Sequence, residues 1–351
     1  MITYLTERMN DRLMVYPSRW REAGEARMRT LLYSELPSVP RLEPGTYLFA
    51  DLESLTPAGL EIARETCTRL RAAPSGFRVV NRPDRVLYRH ELLAKLFEAG
   101  VNEFRAYGAE DARRAARFPV FVRRRDDHLG PRTPLLPDAG ALARALRFLR
   151  LQGHRLADLL VVEFCDTRGE DGLYRKYAAF IVGECILPRH ALFSRDWVLK
   201  QPDLRSPELE RESAEFLASN PHEGPLREIA RLAGIDYGRV DYGLRRGRVQ
   251  VWEINTHPTV TSTTPRLSRA FAELELDVDG AGAAPVALAF DPALVRRARR
   301  ERRLRRVHER VRQGIDRAAS AGVSKPLTRS LRRFLGQARA SDGETSVPGG
   351  V

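Results

Sequence analysis

Cysteine is scarce in this chain. The 351 residues hold three, Cys67, Cys165 and Cys185, odd in number and far apart. They predict buried free thiols rather than a disulfide framework or a zinc site. Long apolar runs are missing too: no stretch approaches the roughly 20 apolar residues of a membrane-spanning helix. Residues 1–8 lack a basic segment followed by an apolar one, which argues against a secretory signal and leaves a cytoplasmic location as the default expectation. No glycine-rich loop follows the first clear strand, at residues 46–50, so phosphate capture by such a loop is not expected there. Surplus charge is also missing from most of the chain. The net charge is +13, but residues 291–351 hold 16 Lys or Arg against 6 Asp or Glu, a surplus of +10, leaving +3 for the first 290 residues. The basic character belongs to the C-terminal segment, and whole-protein nucleic-acid binding is not expected.

What is present is an ordinary globular composition, with 43% hydrophobic residues, enough for one large or two to three smaller domains. Residues 1–40 are weakly patterned and suggest an N-terminal extension packed on the body, with a helix near 20–33. Residues 46–50 and 77–81 read as strands. Between them Thr56 can cap a helix, Pro57 suits its first position, and Leu60, Ala63, Cys67 and Leu70 recur at helical spacing. Strand, helix and strand in this order predict a parallel crossover. Further helices are expected at 89–98 and at 139–151, the latter with Leu142, Ala145, Leu146 and Leu149 on one stripe. Strands are expected at 118–123 and 159–165. Residues 174–182 and 185–190 form a hairpin around Gly183-Glu184, with Arg175 and Lys176 on opposite faces. Two helices follow, one opened by Ser206-Pro207 and one ending before Gly234.

The chain then runs Arg239-Val240-Asp241-Tyr242-Gly243-Leu244, turns through Arg245-Arg246-Gly247-Arg248, and returns as Val249-Gln250-Val251-Trp252-Glu253-Ile254-Asn255-Thr256-His257-Pro258. Side chains two apart on a strand share a face. Arg239 and Asp241 therefore point one way from the first strand, and Glu253 and Asn255 point one way from the second. If those faces coincide, an arginine, two carboxylates and an amide oxygen meet. Oxygen ligands of that kind suit Mg²⁺ bound with nucleotide phosphates. The other reading is a half-buried hairpin with a solvated polar face. Val240, Tyr242, Val251 and Ile254 cannot share the opposite face of a regular pair, so a β-bulge near Trp252 is expected.

The pattern R-x-D, followed on the next strand by E-x-N-x-x-P, resembles the metal-binding hairpin of the ATP-grasp superfamily, which includes D-alanine–D-alanine ligase and glutathione synthetase. The resemblance spans roughly residues 46–275. It implies an α/β (α+β) fold in which two α+β subdomains grip ATP, preceded by a small parallel α/β domain. The expected segments are the extension 1–45, the preceding domain 46–110, the ATP-grasp domain 111–276, a linker 277–290, a basic helical tail 291–338 and a disordered end 339–351. By the same resemblance Asp241, Glu253 and Asn255 hold Mg²⁺, with Mn²⁺ as a substitute, and Arg239 is catalytic, facing the phosphorylated intermediate. Arg89 lies by position near the ATP phosphates. Glu163, Phe164 and Cys165 fall at the hinge that meets adenine and ribose. Lys176 is on the nucleotide side, and Arg189 and His257 are on the substrate side.

Two departures stand out. Arg123 occupies the place where the family commonly has a phosphate-binding lysine, and the following loop has a single glycine, Gly130, with Asp126 or His128 as residues that could close on the nucleotide. The implied activity is an ATP- and Mg²⁺-dependent ligase joining a small-molecule or peptide carboxylate to an amine through an acyl phosphate. The competing reading is a weak or inactive nucleotide-binding scaffold or regulator. A homo-oligomer is compatible with either. In the tail, Leu304, Val307, Val311, Ile315 and Ala318 make a narrow apolar stripe among arginines. That stripe suits packing on the body, an acidic partner or an anionic membrane surface. The tail lacks the interleaved aromatics that would favour single-stranded nucleic acid.

Overall fold

A computed structural model describes residues 1–7, 27–126, 130–199, 204–260, 264–277 and 283–320. Along the chain the strands are β1 (Ile2–Thr6), β2 (Met28–Leu32), β3 (Arg41–Leu42), β4 (Gly45–Phe49), β5 (Phe77–Val80), β6 (Ala106–Gly108), β7 (Val120–Arg124) and β8 (Leu159–Glu163). They continue with β9 (Tyr174–Val182), β10 (Cys185–Ser194), β11 (Tyr237–Arg245), β12 (Arg248–Asn255) and β13 (Val286–Ala287). The helices are α1 (Pro57–Ala72), α2 (Arg89–Glu98), α3 (Ala139–Leu151), α4 (Pro207–Ser219), α5 (Glu223–Ala233), α6 (Pro265–Leu274) and α7 (Pro292–Ser320). The chain divides into two compact units. The first comprises residues 1–106 and 164–298 with the short stretch 126–130. The second comprises 107–125, 131–163 and the chain from Arg299. This division cuts across the segments expected from the sequence.

The first unit holds a parallel sheet in the order β2-β1-β4-β5. The crossover from β4 to β5 forms as expected. Thr56 accepts from the Gly59 amide, Pro57 takes the first turn, and Ile62, Ala63, Cys67 and Leu70 are buried. The reading of residues 1–45 needs correction. β1 is an inner strand paired with both β2 and β4, and β2 replaces the end of the helix expected near 20–33; residues 8–26 lie outside the described residues. All five residues of β1 are buried. A strand covered on both faces shows no polar alternation, and parallel partners lie far apart in sequence, so periodicity had nothing to register. The expected linker likewise contains β13, which pairs with β3.

The second sheet of this unit is antiparallel, in the order β10-β9-β11-β12. One face is apolar: Tyr177, Ala179, Ile181, Val240, Tyr242 and Val251 pack with Phe216 of α4 and with Leu226, Ile229 and Ala233 of α5. The bulge falls where the sequence required it. Asp241 pairs with Glu253 and Tyr242 with Val251, which leaves Trp252 as the extra residue. Val240 with Ile254 and Tyr242 with Val251 then share the core face. At the tip Arg246 and Gly247 have φ of 49° and 76°, both left-handed, as a two-residue hairpin turn requires. Gly243 is needed for another reason: a Cβ there would lie 2.8 Å from the Trp252 ring.

The second unit is built on a sheet in the order β6-β8-β7. α3 covers it through Leu142, Leu146 and Leu149, packed with Val120, Val122 and Val161. Asp138 caps α3 by accepting from the Ala141 amide. α7 begins with Leu294 in the core of the first unit. Further along, Leu304 and Val307 are 38% and 49% exposed, while Arg302 and Arg305 are half-buried. Two residues of the apolar stripe, Leu304 and Val307, thus face outward. Residues 321–351, and with them the end of the basic tail and the segment 339–351, lie outside the described residues.

Candidate active site

The face of the antiparallel sheet opposite the tyrosines carries the polar residues. Its register sets them in rows. Asp241 pairs with Glu253 on one side and with Ala178 on the other, and Ala178 pairs with His190. Arg239 pairs with Asn255 and with Phe180. Directly opposed residues on neighbouring strands share a face, with Cβ atoms about 5 Å apart. Lys176, two residues before Ala178, joins the same face. The sequence expectation that Arg239, Asp241, Glu253 and Asn255 meet therefore holds in the structure.

The contacts are charge-assisted. Arg239 donates from Nε to Asp241 Oδ1 at 2.8 Å and from Nη2 to Oδ2 at 3.3 Å. Lys176 Nζ lies 2.6 Å from Asp241 Oδ2. Asp241 is 2% exposed, so these two cations stand in for the water it has lost. Arg89, in the first turn of α2, donates from Nη2 to Glu253 Oε2 at 2.6 Å. Asn255 Oδ1 accepts from the His257 amide at 2.7 Å. The His257 ring meets Tyr4 of β1, with Nδ1 2.9 Å from the phenol oxygen. Thr256 donates to Glu53, which follows β4. The end of the hairpin is thereby tied to the parallel sheet.

These residues fit a divalent ion carried in with a nucleotide. Two carboxylates and an amide oxygen are hard donors, and Mg²⁺ commonly takes one or two carboxylates and leaves its remaining positions to water and phosphate. They do not make a closed cage: among the described residues no group of three or more His, Cys, Asp or Glu gathers to hold a metal. Charge supports the same fit. Arg89, Lys176 and Arg239 set three positive charges against two carboxylates. A surplus of that sign suits a polyanion.

His190 was not singled out in the sequence. Burial pushes its imidazole down to about 4, Asp241 opposes this, and Arg239, Arg189 and Lys176 add to the depression. It is therefore a neutral side chain near pH 7. A register shift between Pro188 and His190 explains the omission. Arg189 is the extra residue of that bulge, so an unbroken alternation would set Arg189 rather than His190 opposite Ala178. Tyr4 was missed because β1 was not read as a strand.

The remaining candidates divide between the units. Glu163 belongs to the second, 3% exposed, with the Tyr107 hydroxyl donating to Oε1 at 2.8 Å and Arg117 Nη2 to Oε2 at 2.7 Å. Neither Tyr107 nor Arg117 was singled out in the sequence, since nothing local marks either as a partner. Arg123 sits on β7 opposite Leu160, also in the second unit. Phe164 and Cys165 belong to the first. Phe164 makes an edge contact with Trp197, centroids 5.7 Å apart. Cys165 Sγ is 3.8 Å from both Gln250 Oε1 and Arg245 Nη1. The unit boundary falls between Glu163 and Phe164. Arg175 takes the face opposite Lys176, as expected, and pairs with Asp171 and Glu212. His128 lies outside the described residues.

No protein-family model matches this chain, and no curated protein matches it. Similar solved structures are ATP-grasp proteins. A RimK-domain ATP-grasp protein from Sphaerobacter thermophilus is 17% identical, covering 78% of this chain and 97% of its own, with a TM-score of 0.45. D-alanine–D-alanine ligase from Bacillus anthracis is 13% identical, covering 78% of this chain and 94% of its own, at 0.46. The ATP-grasp ligase PsnB, complexed with a precursor peptide and AMPPNP, is 15% identical, covering 78% and 96%, at 0.48. Identities and TM-scores of this size leave the function to this chain's own side chains.

Proposed function

We propose that this protein is an ATP- and Mg²⁺-dependent ligase that joins a carboxylate to an amine. One observation carries the reading: Asp241 faces Glu253 and Arg239 faces Asn255 on one side of a bulged hairpin, with Lys176 on Asp241. A carboxylate is a poor acyl donor because its leaving group would be oxide or hydroxide. Attack of the substrate carboxylate on the γ-phosphorus of ATP breaks the bond to the β-phosphate oxygen and releases ADP. The acyl phosphate so formed has a good leaving group. The amine adds to its carbonyl carbon, the tetrahedral intermediate expels phosphate, and the amine proton passes to water or to the departing phosphate. An amide remains.

The chain's residues then have these roles. Asp241, Glu253 and Asn255 would hold Mg²⁺, which supplies charge neutralisation at the phosphates. Lys176 and Arg89 take phosphate oxygens, and Arg123 provides a planar, permanently charged group for the same purpose. Arg239 stabilises charge on the transferred phosphoryl group and on the tetrahedral intermediate. Glu163, Phe164 and Cys165 serve the adenine and ribose side, and Arg189 and His257 the acyl substrate. His190, neutral at pH 7, adds no positive charge to the row and lets the arginines and Lys176 set the field. The test is ADP release by the purified protein with pooled carboxylates, amines and peptides. A folded Glu253→Gln variant should lose it, and full turnover in that variant would sink the metal assignment.

A further inference from the structure

Asp241 and Glu253 sit directly opposite each other on β11 and β12. Like charges in that position repel, so each carboxylate needs a counter-ion. Asp241 has two, both from its own sheet. Glu253 is met by Arg89, which comes from outside the sheet and lies 164 residues away in the chain. The pair is well removed from water, with side chains 6% and 12% exposed, and its N···O distance is 2.6 Å. Desolvating two charges is costly, and the contact is retained only where the geometry is good. Arg89 and a divalent ion would use the same carboxylate. The guanidinium cannot give way by losing its proton. It gives way to a competing anion, and phosphate is an anion it binds well.

We propose that Arg89 is the resident counter-ion of Glu253 and competes with the divalent metal for that carboxylate. Metal affinity is then low in the nucleotide-free protein and rises when phosphates draw the guanidinium away. Metal and nucleotide would enter as a coupled pair, with Arg89 as the residue that couples them. This inference rests on the metal reading of Asp241, Glu253 and Asn255.

The experiment is a titration of the full chain with Mn²⁺, following free Mn²⁺ by electron paramagnetic resonance, without nucleotide and then with AMPPNP. Wild type, Arg89→Gln, Arg89→Lys and Glu253→Gln are compared. Without nucleotide, Arg89→Gln should bind Mn²⁺ about tenfold more tightly than wild type, the scale of one charge-assisted contact. Arg89→Lys keeps the charge but loses the planar reach, and should fall between the two. With AMPPNP the gap between wild type and Arg89→Gln should narrow. Thermal unfolding gives a second readout: Arg89→Gln should melt below wild type without metal and recover more than wild type does on adding Mn²⁺. A residue serving only the fold would leave Mn²⁺ affinity unchanged or weaker in Arg89→Gln, and that result overturns the proposal. Should Arg89→Gln fail to fold, unchanged affinity in Arg89→Lys overturns it equally. If wild type binds no Mn²⁺ even with AMPPNP, the metal reading itself fails, an outcome distinct from the loss of the Arg89 effect alone.

Discussion

The two faces of the antiparallel sheet bury charge in opposite ways. On the core face Arg175 is held by Asp171 and Glu212, one cation between two carboxylates. Around it Tyr177 stacks on Tyr242, centroids 5.5 Å apart, and the Tyr242 hydroxyl meets His222 Nδ1 at 2.8 Å. Burial pushes the Tyr177 phenol up to about 12. Every polar group named there is answered by a neighbour within the fold, and the balance of formal charge is negative. On the other face three cations meet two carboxylates, and the balance is positive. A side chain on the first face serves stability; under the proposed function a side chain on the second serves the bound nucleotide and metal. The same strands provide both, because period-two alternation separates Arg175 from Lys176 and Val240 from Asp241.

Substitutions on each face should break this comparison in different ways. The largest expected effect is on the polar face. Asp241→Asn or Glu253→Gln should lower ATP turnover by a factor of about 100 or more, with circular dichroism unchanged. On the core face Tyr242→Ala should cost about 3–5 kcal/mol in urea unfolding; Tyr242 is fully buried. Any surviving folded fraction should keep its Mn²⁺ affinity, and a specific loss of metal binding would merge the two faces functionally.

Acid should act on both faces at once. His190 on one face and His222 on the other are both depressed, chiefly by burial. A histidine whose folded pKa lies below its unfolded value binds fewer protons when folded. Stability is therefore full above the unfolded value, near 6.5, and falls as pH drops. For His190 the loss runs from there to about 4. Its slope is at most about 1.4 kcal/mol per pH unit for each histidine. His190→Asn should flatten that slope in urea titrations between those limits, while an unchanged slope would remove His190 from the acid response. The smallest effect belongs to Glu212→Gln. Its carboxylate is 34% exposed, so the change should cost under about 1 kcal/mol and leave turnover alone.

Much of this was legible from local patterns. Thr56 and Ser206 each mark a helix start, because capping needs only a side-chain oxygen and an amide three residues on. α2, α3 and β9 run over the residues that periodicity indicated. The hairpin was readable down to its bulge, since Val251 and Ile254 could reach one core only if one residue between them was extra. The illegible parts have a common cause. β1 and β2 pair in parallel with strands distant in sequence, Arg189 displaces the phase of β10 by one, and Arg89 finds Glu253 across 164 positions.

The sequence alone determined which residues alternate on the hairpin, and hence that Arg239, Asp241, Glu253 and Asn255 could form one polar set. Short-range sterics and hydrogen bonding suffice for that. Tertiary structure decided what this set is set against. It put Lys176 on Asp241, Arg89 on Glu253, Tyr4 on His257 and His190 in the row. Those choices depend on strand order and helix packing, where burial leaves a carboxylate no solvent and the nearest cation, however far along the chain, becomes its partner.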